Sequence, residues 1–311
     1  MTRRKTAAGI DLAVSFAGLR LKNPVIAASG TYGYGTEYRR LAPAAEFGAI
    51  ITKTVTLAPR EGNVPPRLCE TASGMLNAIG LANVGIDAFL RDKLPELQDC
   101  GTVVIANIAG NSVAEYAQLA RRLDGEPGIA AIEVNISCPN VQHGGISFGT
   151  DPRVAAMLTK RVKQATKLPV IVKLSPNVSD IAAVARAVAD AGADALSLIN
   201  TLYGMAIDSV RRKPVLGNIT GGLSGPAIKP VALYSVYKVC QAVDLPVIGI
   251  GGIRTAADAA EFMLAGARAV QVGTATFVDP GAVRAITKGL KTYCREHGFR
   301  KASDISGALQ R

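Results

Sequence analysis

The sequence has no tryptophan, two histidines and five cysteines among 311 residues, and only 19% of it is charged. His143 and His297 lack metal-ligand spacing, so a histidine-held metal centre is not expected. The cysteines, Cys69, Cys100, Cys138, Cys240 and Cys294, form no C-x-x-C pair. An odd count without a secretory signal points to reduced thiols in a cytoplasmic protein. Arg3, Arg4 and Lys5 begin like a signal peptide, but Asp11 and Arg20 interrupt the apolar run that should follow. Long uncharged apolar stretches are missing too. The most apolar one, Ile181 to Ile199, carries Arg186, Asp190 and Asp194, whereas a spanning helix needs about 20 mostly uncharged residues, so no membrane association is expected. Neither a G-x-S-x-G elbow nor a P-loop occurs. Basic residues outnumber acidic ones, 35 against 24, for a formal charge of +11. They are dispersed, with Arg211-Arg212-Lys213 the one compact run, so no nucleic-acid partner is expected.

What the chain does have is apolar content, 49% of its residues, and 32 glycines, the composition of an α/β protein with a buried parallel sheet. Eight short β-branched runs stand out: Val25–Ser29, Ala49–Val55, Val103–Ile108, Ala131–Ser137, Val170–Leu174, Ala195–Asn200, Val247–Ile250 and Ala269–Val272. Each is too short for a helix and is bounded by Gly, Pro or Asn. Helical patterns separate them. Ser112 and Glu115 read as a capping box before Val113–Leu123, and Asp151 with Pro152 starts Val154–Ala165. Ser179 and Thr255 start two more, Pro230 opens Val231–Val243, and Asp279 with Pro280 opens the last long helix. Alternating strands and helices demand parallel pairing with right-handed crossovers. Eight such units in one chain predict a (β/α)8 TIM barrel over residues 1–311 as a single domain, with Ile10–Leu21 forming a short hairpin at its lower end. Two connections, Thr56 to Gly85 and Thr201 to Ile228, are too long for simple loops, and both follow strand ends on the catalytic rim.

The rim carries the chemistry. Strand seven runs into Gly251-Gly252 and strand eight into Gly273-Thr274, the usual phosphate site of such barrels. Gly221 to Gly225 offers a third wall. Lys53, Asn107, Asn135, Lys173 and Asn200 read as lying in strands two to six. An inward lysine is costly unless it meets an anion or an electron-rich ligand. Asparagines offer both donor and acceptor, which suits a planar heterocycle, and the long loop adds Asn77 and Asn83. Cys138 lies on a Pro- and Gly-rich loop after strand four, where a thiol with its reference pKa of about 8.5 modestly shifted serves as an acid or base. Cys100, Cys240 and Cys294 fit structural thiols better. These residues describe a barrel that binds a phosphorylated planar cofactor beside a polar planar substrate. A flavin-free barrel isomerase or lyase for phosphorylated sugars, or a binding barrel without catalysis, shares the same glycines.

The most specific segments are T-K-T-V-T at 52–56, G-M-L-N-A-I-G-L at 74–81, N-I-S-C-P-N at 135–140 and V-K-L-S-P-N at 172–177. With I-N-T at 199–201, G-G-L-S-G at 221–225 and G-I-G-G-I at 249–253, the chain resembles class 1 dihydroorotate dehydrogenases over nearly its whole length. The resemblance implies oxidation of dihydroorotate to orotate in pyrimidine biosynthesis, with FMN as cofactor. It assigns FMN contacts to Ser29, Lys53, Thr54, Asn107, Asn135, Lys173, Ile199, Gly225, Gly251, Gly252, Gly273 and Thr274. It assigns dihydroorotate contacts to Lys53, Asn77, Ala78, Ile79, Gly80, Leu81, Asn135, Asn200 and Thr201, and makes Cys138 the base for the C5 proton while hydride leaves C6. Cysteine as base marks class 1; the membrane-associated class uses serine. V-Q-H-G-G-I-S-F-G-T-D at 141–151 resembles subclass 1B. That subclass implies a second subunit with FAD and a 2Fe–2S cluster, NAD as final acceptor, and two catalytic with two electron-transfer subunits around a homodimer core. The fumarate-using subclass 1A, or a related flavin barrel acting on another pyrimidine, is the alternative.

Overall fold

The computed structural model describes residues 9–137, 139–140 and 146–310. Eight parallel strands close into a barrel: Val25–Ala27, Ala49–Ile51, Val103–Ile108, Ala131–Asn135, Val170–Lys173, Ala195–Leu198, Val247–Ile250 and Ala269–Val272, numbered here one to eight. Each pairs with its sequence neighbours and the eighth pairs with the first, through Val270, Gln271 and Val272 against Val25, Ile26 and Ala27. Six of the eight have every residue buried, as strands covered on both faces must.

Several strands are shorter than the apolar runs suggest. Lys53 and Asn200 each lie two residues past a strand end, where the chain turns across the rim. The connections also vary more than the sequence pattern implies. Strand one leads to strand two through a single 3-10 turn, Ala44–Glu46. Strand two leads to strand three through the short helical turns Gly85–Ala88, Phe89–Lys93 and Pro95–Leu97. The later crossovers are helices Val113–Leu123, Pro152–Lys163, Ile181–Asp190, Lys229–Cys240 and Ala256–Leu264, and helix Ala282–Glu296 follows strand eight.

Their caps explain where they begin. Asp151 accepts from Arg153 N, with Pro152 in the first turn, and Thr255 and Asp258 form a reciprocal capping box. Two expected caps differ. Ser112 accepts from Glu115 N, but the Glu115 carboxylate turns to Asn111 N at 2.8 Å rather than to the cap. Asp180, not Ser179, caps Ile181–Asp190, because its carboxylate reaches Ala182 N at 3.1 Å.

The opening hairpin forms, Val14–Phe16 against Leu19–Leu21, and its buried side chains join the core beside strand one. The long connections after strands two and six do not behave as separate loops. Leu68–Thr71, Gly74–Asn77, Leu202–Met205 and Thr220–Ser224 combine into one four-stranded antiparallel sheet over the catalytic rim. Gly222 sits at its centre, and a Cβ there would run into the Thr201 side chain. That close approach lets strand Leu202–Met205 lie flat beside Thr220–Ser224.

Candidate active site

A cavity of about 790 Å³ opens between the rim of the barrel and this sheet, within the size range of a small-molecule or cofactor site. The twelve residues assigned above to a phosphorylated cofactor all line it, from Ser29 after strand one to Thr274 after strand eight. Lys53, Asn77, Ile79, Leu81, Asn135, Asn200 and Thr201 line it as well. Ala78 and Gly80 do not: the strand ends at Asn77 and the chain turns through left-handed Gly80 (φ +71°) and Leu81 (φ +57°), which leaves 77, 79 and 81 on the cavity wall. Ala78 packs with Leu76 and Leu216, and Gly80 passes against Asn63. Asn83 is buried and structural, accepting from Thr56 N and Gly85 N and donating to Thr56 Oγ1.

The glycine cradle is built by close approach. Gly252 has φ +74°, and a Cβ there would meet Lys229 Cβ at 2.8 Å and Gly225 O at 2.9 Å. Gly273 is different, since a Cβ would find only ordinary contacts, the nearest being Ala28 Cβ at 3.4 Å. Lys229, beside the cradle, is already engaged by Asp258 at 2.6 Å and Glu261 at 2.9 Å. The Asp258 hydrogen bond leads the causes that hold the Lys229 ammonium above its ordinary pKa. An anion in the cradle therefore relies on backbone N–H groups and on Arg254, which the sequence reading missed and which lines the cavity.

Three cations, Lys53, Lys173 and Arg254, line the cavity against one exposed carboxylate, Glu70. Lys53 pairs with no carboxylate among the described residues. Its backbone N–H donates to Gly33 O at 2.8 Å, which fixes the turn that carries it. Such a cavity favours anionic ligands. Asn135 Oδ1 accepts from Ser137 N and from Asn200 Nδ2, both at 3.2 Å, so these asparagines hold each other in place. Asn77 Nδ2 donates to Gly222 O at 3.2 Å across the capping sheet.

Beneath the cavity lies a polar layer that the sequence reading missed. Glu133, fully buried in strand four, accepts from Asn107 Nδ2, Gln271 Nε2 and Ser197 Oγ at 2.7, 2.7 and 2.8 Å. Lys173 Nζ stands 3.8 Å from the same carboxylate. The signal was present as single polar residues in apolar strands, A-I-E-V-N, A-L-S-L and A-V-Q-V.

Cys138 and His143 lie outside the described residues. What precedes Cys138 is well braced: Tyr116 Oη donates to Asn135 O at 2.6 Å, and its ring meets Phe148 edge-on. Burial pushes the Cys240 thiol up to about 11 and raises Cys294 as well, which fits structural roles for both. Among the described residues no group of His, Cys, Asp and Glu is placed to hold a metal ion, and no helix is long and apolar enough to cross a membrane.

A family model described as dihydroorotate dehydrogenase matches residues 11–293. The catalytic subunit of dihydroorotate dehydrogenase B (NAD(+)) from Geotalea uraniireducens (strain Rf4) is 58% identical over 299 residues, 96% of this chain and 98% of that protein. The protein of the same name from Geobacter sulfurreducens is 59% identical over 300 residues, again 96% and 98% of the two chains. The one from Desulforudis audaxviator (strain MP104C) is 58% identical over 302 residues, 97% of this chain and 98% of that one.

Proposed function

This chain belongs to the dihydroorotate dehydrogenase family, and from that premise we infer that it oxidises dihydroorotate to orotate in pyrimidine biosynthesis, with NAD as the final acceptor. The observation that carries the reading is the convergence in one cavity of a glycine cradle, two inward lysines and the asparagines of the rim.

FMN fits this donor set. The cradle at Gly251, Gly252, Gly273 and Thr274 suits a phosphate, and Lys173 suits the electron-rich end of an isoalloxazine. Asn107 Oδ1 and Gln271 Oε1, on residues that line the cavity, are buried with no hydrogen-bond partner among the described residues, which suits a ring with polar edges. Ser29, Lys53, Thr54, Asn135, Ile199 and Gly225 complete the FMN site. When bound, the flavin supplies the acceptor for the substrate's C6 hydride. Lys53 offsets the carboxylate of dihydroorotate, and Asn77, Asn135, Asn200 and Thr201 read the pyrimidine edges, with Ile79 and Leu81 against its ring. Cys138 takes the C5 proton. The chain works as one FMN-binding barrel in the cytoplasm. It pairs as a homodimer and docks two electron-transfer subunits that carry FAD and a 2Fe–2S cluster.

Anaerobic addition of dihydroorotate to the FMN-loaded protein tests the reading. Flavin absorbance near about 450 nm should bleach. A purified protein that takes up no flavin, or flavin that stays oxidised under excess dihydroorotate, overturns it.

Two further outcomes follow from the geometry. Gly273→Ala has room within the protein but puts a methyl group into the cradle. A disturbed hydrogen bond to a charged group is worth about 1.5–3 kcal/mol, so FMN should bind roughly ten- to a hundredfold more weakly. Thermal melting of the flavin-free protein should stay unchanged; fluorescence titration with FMN checks the affinity. Asn77→Ala, Asn135→Ala and Asn200→Ala should each lower kcat/KM for dihydroorotate by about one to two decades, from an unpaired-group cost of about 1–3 kcal/mol. Because Asn135 and Asn200 bond each other, the double variant at 135 and 200 should lose less than the sum of the two. Steady-state kinetics showing all three single variants unimpaired removes the pyrimidine from this wall of the cavity.

A further inference from the structure

Glu133 and Gln271 have no part in the site as assigned from the sequence, yet Gln271 lines the cavity and Glu133 lies directly beneath it, bonded to Gln271 and Asn107. Glu133, Ser197 and Gln271 come from strands four, six and eight, the even-numbered set whose inward side chains share one layer of a barrel. Asn107 and Lys173 reach the same carboxylate from strands three and five. An ionised carboxylate only accepts hydrogen bonds. It therefore dictates which end of each amide points toward it: Nδ2 of Asn107 and Nε2 of Gln271. The opposite ends are both acceptors, and both are buried atoms with no hydrogen-bond partner among the described residues.

We propose that Glu133 is a positioning residue for the flavin, and that Gln271 is a further flavin-contacting residue. The Glu133 carboxylate locks the Asn107 and Gln271 amides with their oxygens presented as acceptors, and offsets part of the Lys173 charge that faces the ring. The inference rests on the FMN reading above and adds two consequences. The first is recognition. An isoalloxazine offers one ring N–H among several acceptors, and a floor that presents acceptors selects for it. The second is redox poise. Reduction adds negative charge to the pyrimidine end of the ring, which Lys173 favours and Glu133, 3.8 Å from the Lys173 ammonium, opposes.

The test is the reduction potential of bound FMN, measured by anaerobic dye titration of the holoprotein, beside the FMN dissociation constant. Glu133→Gln removes the opposing charge. It should shift the ratio of reduced to oxidised flavin at a given potential toward reduced flavin by about tenfold, or about +30 mV for a two-electron couple. Its new NH2 must also turn one neighbouring amide around, so oxidised FMN should bind about tenfold more weakly. Glu133→Asp keeps the charge, and its potential should stay near that of the unaltered protein. Ser197→Ala removes one donor from the carboxylate without touching the cavity, so its shift should be smaller and opposite in sign. Opposite shifts cannot come from loosened packing. Should Glu133→Gln not fold, the Ser197→Ala shift decides alone. Potentials unmoved in the folded variants overturn the inference while a yellow, substrate-bleached parent leaves the FMN reading intact. A parent that takes up no FMN overturns both.

Discussion

Replacing Cys138 with serine is expected to slow reduction of the flavin by dihydroorotate about 10²–10⁴-fold at neutral pH, the usual contribution of a general base. FMN should remain bound, because the twelve assigned cofactor residues are untouched. A thiol with a reference pKa of about 8.5 reaches its basic form far more readily than a hydroxyl does. Cys138 follows strand four by three residues, and Asn135 at that strand's end lines the cavity while Tyr116 braces its carbonyl. Among the described residues no cysteine lines the cavity. Anaerobic stopped-flow absorbance near about 450 nm measures the step. Part of the lost rate should return at high pH, as the weaker acid begins to ionise. Near-normal flavin reduction by the serine variant at neutral pH removes Cys138 from the proton transfer.

The second large effect concerns the fate of the electrons. The isolated chain should oxidise dihydroorotate briskly with artificial acceptors and form only traces of NADH. Strand one lacks the G-x-G-x-x-G turn of a dinucleotide site, and the cavity's glycine cradle is already assigned to the flavin phosphate. The chain's cysteines lack the close spacing of an iron–sulfur ligand set. Relatives with 58% and 59% identity are nonetheless named catalytic subunits of an NAD(+) enzyme. A second polypeptide reconciles these facts, and its co-purification should confer NADH formation. Steady-state assays at 340 nm (approximately, where reduced nicotinamide absorbs) compare the two preparations. Rapid NADH formation by this chain alone, or efficient fumarate reduction without a partner, overturns the requirement for an electron-transfer subunit and leaves the family unchanged.

Much of this molecule is written locally in its sequence. Eight β-branched runs bounded by turn residues, and helix starts such as Asp151-Pro152 and Thr255 with Asp258, depend on residues within one or two turns of each other. Eight alternating units of that kind admit few topologies, so the barrel and the location of its catalytic rim follow from pattern alone. The motifs on that rim likewise brought Lys53, Lys173, Asn77, Asn107, Asn135, Asn200 and the glycine cradle to one cavity, Asn83 alone going to a structural role. Other features depended on which distant residues meet. The segments around Asn77 and Gly222, 145 positions apart, became one sheet because their edges face each other across the rim. The turn that follows strand Gly74–Asn77, left-handed at Gly80 and Leu81, leaves Ala78 and Gly80 off the cavity wall. Glu133 reads as an anomaly in a buried strand until barrel closure brings it Ser197 from 64 positions away and Gln271 from 138. Periodicity and caps are short-range properties of the chain, whereas the partners of a buried charge are chosen by strand register around a closed barrel, which no local stretch of sequence specifies.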